Sequence, residues 1–155
     1  MKFKLTLEAK PSKYPIEYGD KLMLIGSCFT ENIGAKFKAH LFELSENPYG
    51  ILFNPVSVTN ALTEIMELRK YKSEDLFQHN ELWHSWSHHS RFSAIKQEDA
   101  LENINSTILT AHDFLKSANR LVITLGSAWL YHLTNEAPLG KGQVVANNHK
   151  GPINW

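Results

Sequence analysis

The apolar run Leu22-Met23-Leu24-Ile25 ends on Gly26-Ser27-Cys28-Phe29, and a helix-like stretch over 30–40 follows. A near-continuous apolar strand suits burial on both faces of a parallel sheet. A helix directly after such a strand implies a crossover and an α/β fold. The same order returns later in the chain. Leu121-Val122-Ile123-Thr124-Leu125 is its clearest strand, and Gly126-Ser127 ends it. In open parallel α/β sheets, sites form beyond the carboxyl ends of the strands. If the two strands are parallel neighbours, the bends at Gly26 and Gly126 open on one edge.

The remaining segments fit the same plan. Phe29, Ile33, Phe37 and Leu41 recur at four-residue spacing, one face of a helix with Thr30 as its expected N-cap. Residues 42–44 read as a short strand, and Asn47-Pro48-Tyr49-Gly50 as a turn. Asn54-Pro55 is a helix start, with Val58, Leu62, Ile65 and Met66 as the inner face and an end near Arg69-Lys70. A hairpin is expected where 76–78 and 82–84 flank His79-Asn80-Glu81. A long helix over 96–117 carries Leu101, Ile104, Ile108, Ala111 and Leu115 inward. Short strands are expected over 2–7, 129–133 and 143–146.

Composition narrows the function classes. Lys plus Arg and Asp plus Glu both total 16, so the formal net charge is zero. That balance excludes the basic footprint of a nucleic-acid binder. No apolar run approaches the ~20 residues that cross a bilayer, so no membrane partner is expected. The N-terminus lacks the apolar core of a signal peptide. A single cysteine forms no internal disulfide and is compatible with a reducing cytoplasm, the expected location.

A strand, a glycine turn and a helix together form a geometry that presents a nucleophile. Free N–H groups and the dipole at the helix start favour negative charge, whether on a Cys28 thiolate or on a Ser27 alkoxide. A cysteine at the end of an apolar strand is also a common core residue, and the four residues allow both readings. His84, His88 and His89 invite a metal site. No Cys, Asp or Glu completes a ligand set beside them, so no metal and no cofactor is expected. The Trp/His/Ser-rich stretch around them reads as packing that also lines part of a pocket.

Gly26-Ser27-Cys28-Phe29-Thr30 with Glu31-Asn32 resembles the signature of the bacterial GSCFA family. The likeness continues through 47–55, through 83–90 and through Thr124-Leu125-Gly126-Ser127-Ala128-Trp129. That family looks like a branch of the SGNH/GDSL hydrolases. The resemblance implies a flavodoxin-like three-layer α/β/α fold with a mostly parallel sheet, and a serine-type ester hydrolase with a late Asp-x-x-His pair. Carried over by residue, the Gly-Asp-Ser turn falls on Gly26-Ser27-Cys28. The nucleophile position is then Cys28, with Ser27 as the alternative in a shifted register. Gly50 takes the place of an oxyanion glycine. The Gly-x-Asn-Asp block falls on Gly126-Ser127-Ala128-Trp129, so Ala128 stands where an oxyanion asparagine is expected and Ser127 is its substitute.

Asn147-Asn148-His149-Lys150 resembles a family Asn-Cys-His-Lys block except at position 148; His149 is the in-chain candidate for a base if these residues act alone, and an exposed loop histidine is the alternative reading. No Asp-x-x-His occurs in the 155 residues. The resemblance therefore implies that residues 1–155 are the N-terminal portion of a longer GSCFA/SGNH-like domain, with little turnover by themselves. The expected substrate is an ester or O-acyl group on a small molecule or carbohydrate. The alternative is a non-catalytic binding domain on the same scaffold.

Overall fold

The computed structural model of the chain describes residues 10–146 and Trp155. The strand expected over 2–7 and the block 147–150, with His149, lie outside them. Strand β1 spans Lys21–Gly26 and leads into α1, Cys28–Ala39. Strand β2 is Glu43–Glu46 and α2 is Pro55–Met66. The hairpin strands are β3, Phe77–His79, and β4, Leu82–His84. Helix α3 runs over Gln97–Ser117, ahead of β5, Arg120–Thr124. Two-residue strands β6, Tyr131–His132, and β7, Val144–Val145, pair antiparallel.

The main sheet is parallel with order β2-β1-β5. The chain thus steps to one side of β1 and later to the other. Right-handed crossovers then place α1 on one face and α3 on the opposite face. Burial agrees with this. Leu22, Met23, Leu24 and Ile25 are each at most 1% exposed. Met23 and Ile25 join Val58, Ala61 and Ile65 of α2 and Ile104, Ile108 and Ala111 of α3 in one core. Leu22 and Leu24 point to the other face by strand alternation. Parallel strands flanked by helices make this an α/β protein, compatible with a flavodoxin-like core.

Helix α2 starts where expected. The Asn54 side chain accepts from Ser57 N–H at 2.8 Å, and Pro55 takes the first helical position. The helix stops at Met66, short of Arg69-Lys70, and leaves Met66 exposed. Leu68 just beyond it has a φ of 53°, which no continuing helix allows. In the hairpin, Asn80 and Glu81 both have positive φ, the conformation of a two-residue type I′ turn.

Helix α1 departs from the expectation in two ways. Its N-cap is Ser27, not Thr30, because helical geometry already begins at Cys28. Its fully buried residues are Thr30 and Gly34, one position along from the Phe29–Ile33–Phe37 stripe. Small residues fit the closest approach: a Cβ at Gly34 would collide with the Glu46 carboxylate, and the Thr30 hydroxyl reaches β5. Phe37 instead packs edge-on to Phe42, with ring centroids 5.0 Å apart, while Phe29 and Leu41 are exposed. Among the described residues, β5 has a strand neighbour on one side only, and Leu121, Ile123 and Leu125 are exposed.

The amino ends of β1 and β5 are tied by one carboxylate. Asp20 accepts from Glu17 N–H at 2.9 Å, from Asn119 Nδ2 at 2.9 Å and from Arg120 Nε at 3.0 Å. The backbone N–H and then the Arg120 guanidinium hold this carboxyl below the usual aspartate range. A lowered folded-state pKa stabilises the fold above the unfolded value, ~3.9, and that stabilisation is lost as pH falls through the folded value. Asp20→Asn should therefore lower the urea midpoint at neutral pH. Its deficit against the wild type should shrink steadily as titration proceeds below about pH 4.

Candidate functional site

The two glycine bends meet at the carboxyl edge of the sheet. Gly26 is in register with Thr124 on β5. It has a φ of 140°, and a methyl group there would collide with the Thr124 carbonyl. At Gly126 an added Cβ would lie 3.3 Å from Ser27 Cβ and 2.7 Å from Phe53 Cδ1. The bends are thus in direct contact, and neither tolerates a side chain between them.

Ser27 and Cys28 are neighbours with opposite surroundings. Ser27 is 6% exposed. Its N–H is shared between the carbonyl and the hydroxyl of Thr124, at 2.9 and 3.1 Å. Its Oγ lies 3.0 Å from Thr124 Oγ1, which also meets Thr30 Oγ1 at 2.5 Å. Cys28, the first residue of α1, carries an exposed free thiol. The Cys28 and Phe29 amides at the helix start have no partner among the described residues.

The segment after β2 forms the neighbouring wall. Gly26 N–H donates to Asn47 Oδ1 at 2.8 Å, and Leu52 N–H donates to the Gly26 carbonyl at 2.8 Å. The Phe53 carbonyl accepts from the Gly126 and Ser127 amides at 2.9 and 3.1 Å. The expected turn is present, with Gly50 N–H donated to the Asn47 carbonyl at 2.7 Å. The amides of Gly50, Gly126 and Ser127 therefore all serve the protein's own carbonyls. Ser127 Oγ accepts from Trp129 N–H at 3.0 Å, and Ala128 contributes no polar side chain.

Arg91 links this wall to α1. Its guanidinium donates to Glu31 Oε1 and to the Asn47 carbonyl, both at 2.7 Å. Below the turn, the hydroxyls of Tyr49 and Tyr71 donate to Glu64 Oε2 at 2.8 and 2.7 Å. Burial first, and the Glu64 carboxylate second, push both phenols far above their ordinary range, so they remain donors. Tyr49 is fully buried.

The three histidines hold separate positions. His88 is buried, stacked on Tyr49 at 4.1 Å and 2.9 Å from Ser85 Oγ. His84 lies 2.6 Å from Ser93 Oγ, and His89 Nδ1 accepts from Arg91 N–H at 3.0 Å. No cluster of three or more ligand-type side chains is arranged for a metal among the described residues. A cavity of about 130 Å³ is lined by Arg69, Tyr71, Ser85, Trp86, Ser87 and Gln143 among others, and not by the Cys28 turn. No helix among the described residues is long and apolar enough to cross a membrane.

Thr124, Arg91 and Glu31 also belong to this region; Thr124 and Glu31 lie within the blocks that carry the family likeness, but nothing in the sequence assigned any of the three a place in the site. The one visible signal was Thr124, a hydroxyl closing an otherwise aliphatic strand.

These features define an α/β protein whose lone cysteine starts a helix at the carboxyl edge of a parallel sheet. The chain matches the family model described as the GSCFA family over residues 21–155, and it belongs to that family. Searches of curated proteins and of solved structures give no match.

The contact between the bends predicts the effect of widening it. Gly126→Ala must push Phe53 or Ser27 aside, an overpacking cost of about 1–3 kcal/mol. Urea unfolding should show that loss, and alkylation of Cys28 by iodoacetamide should change in rate as the turn shifts.

Proposed function

We propose that this domain is an SGNH-like acyl hydrolase on a flavodoxin-like α/β/α scaffold, with Cys28 as nucleophile. The observation that carries the reading is the pairing of an exposed thiol with two open backbone amides, those of Cys28 and Phe29, at one helix start. The Cys28 thiolate attacks the carbonyl carbon of an ester or O-acyl group on a small molecule or carbohydrate. An S–C bond forms, and the carbonyl electron pair moves onto oxygen. The two amides hold that oxyanion. Collapse expels the alkoxide, which leaves as the alcohol by taking the proton that the acid–base group drew from the Cys28 thiol. Water then cleaves the thioester and releases the acid. Ser27, buried against Thr124, serves the turn in this reading and leaves the attack to its neighbour.

His149, in the block that resembles the family's Asn-Cys-His-Lys, is the proton acceptor this reading tests first. In His149→Ala a loss of turnover of about 10²-fold or more assigns the base to His149, and an unchanged rate assigns it elsewhere.

A non-catalytic binding domain is the second reading. It is favoured by Ala128 at the asparagine position, and by the use of the Gly50, Gly126 and Ser127 amides within the protein. Covalent chemistry distinguishes the two. Iodoacetamide should label Cys28 of the native full-length protein faster than the urea-denatured protein, and Cys28→Ala should abolish hydrolysis of activated acyl esters. Native labelling no faster than denatured, with no ester turnover, would establish the binding reading instead.

A further inference from the structure

Ser27 occupies the N-cap of α1, with φ −73° and ψ 178°, yet its side chain makes no capping hydrogen bond. Serine is among the strongest N-cap residues because its Oγ accepts from the second or third helical amide. The extended backbone at Ser27 is the one capping uses. Its hydroxyl is turned away because Thr124 Oγ1 holds it at 3.0 Å, and Thr30 Oγ1 closes the cluster from within α1. The third helical amide, that of Thr30, is already given to the Ser27 carbonyl at 2.9 Å. The second, that of Phe29, is left open, as is that of Cys28.

We infer that Thr124 is a positioning residue: it holds the Ser27 hydroxyl off α1, so that the helix start stays uncapped and its amides remain available to a developing oxyanion. This rests on the acyl-hydrolase reading for its consequence, though not for its geometry. Without the Thr124 hydroxyl, the buried Ser27 Oγ lacks that partner, and of the two amides an N-cap side chain reaches, the second and the third, that of Phe29 is open. A rotation about χ1 would then cap α1 and cover the oxyanion position. The helix would lose little stability or gain some, while charge stabilisation would fall.

The test uses the full-length protein with Thr124→Val, Thr124→Ser, Ser27→Ala and the double variant Ser27→Ala/Thr124→Val, with folding checked by circular dichroism. With activated acyl esters, Thr124→Val should lower kcat by about tenfold or more at little change in KM, as for loss of an oxyanion donor. Thr124→Ser should recover the rate. The double variant should exceed Thr124→Val, because no hydroxyl remains to cap the helix. A purely structural role for Thr124 predicts the opposite order, with the double variant the slowest, and that result would overturn the inference.

A second readout is independent of turnover. Open amides at a helix start favour an anionic reagent. The ratio of Cys28 alkylation by iodoacetate to that by iodoacetamide should fall several-fold in Thr124→Val and return in the double variant. That pattern without ester hydrolysis in the wild type would sustain the positioning role and reject the hydrolase. Hydrolysis with an unchanged ratio and kcat in Thr124→Val would reject the positioning role alone. If Thr124→Val does not fold, Thr124→Ala replaces it under the same two outcomes.

Discussion

The parallel pairing of β1 with β5 is the constraint on which the site depends. It joins Gly26 to Thr124 across most of the chain, and the bonds of the Ser27 N–H and hydroxyl to Thr124 follow from it. Closing a loop of that length costs only slightly more entropy than closing a short one. Burial can offset it because β1 is covered on both faces and shares its core with α2 and α3. The Asp20 clamp aligns the strands at their amino ends, and the Ser27 N–H bonds to Thr124 align them at the carboxyl ends. A one-residue slip would break both and turn the inward residues outward.

The wall of the site is held from beneath by a partly buried carboxylate and its donors. Glu64 takes two tyrosine hydroxyls and the Arg69 guanidinium, which fixes Tyr49 and with it the turn that bears Gly50. Such a carboxylate is stable only when its oxygens are matched. Arg91 does the corresponding work nearer the surface, joining Glu31 to the Asn47 carbonyl. The residues around Cys28 thus come from α1, the segment after β2, the loop after β4 and the end of β5. Their positions are coupled through hydrogen bonds rather than through one continuous apolar pocket.

Local signals were read with success where one residue type had a single physical use. Asn54-Pro55 could only begin a helix, and α2 begins there. The alternation of strand and helix implied parallel neighbours, and β1 and β5 do pair in parallel, with Gly126 beside Ser27. The inner face of α3 was visible in its three- and four-residue spacing. The reading failed where packing chose between near-equal options. In α1 the aromatic stripe had the right period but the wrong phase, since close approach to β2 and β5 selected Thr30 and Gly34 over the larger side chains. The hairpin at Asn80-Glu81 was legible, whereas the split of His84, His88 and His89 among a strand, a stack and a turn was not.

By itself the sequence determined the class of fold, the two bends at the strand ends and the family, because these follow from local periodicity, glycine and a run of ordered motifs. Only the tertiary structure decided that Ser27 is buried and Cys28 open, and that Thr124 holds the Ser27 hydroxyl away from α1. The physical reason is that the direction of a side chain at a turn depends on what the partner strand offers it. That strand lies about a hundred residues away, beyond the reach of any local pattern.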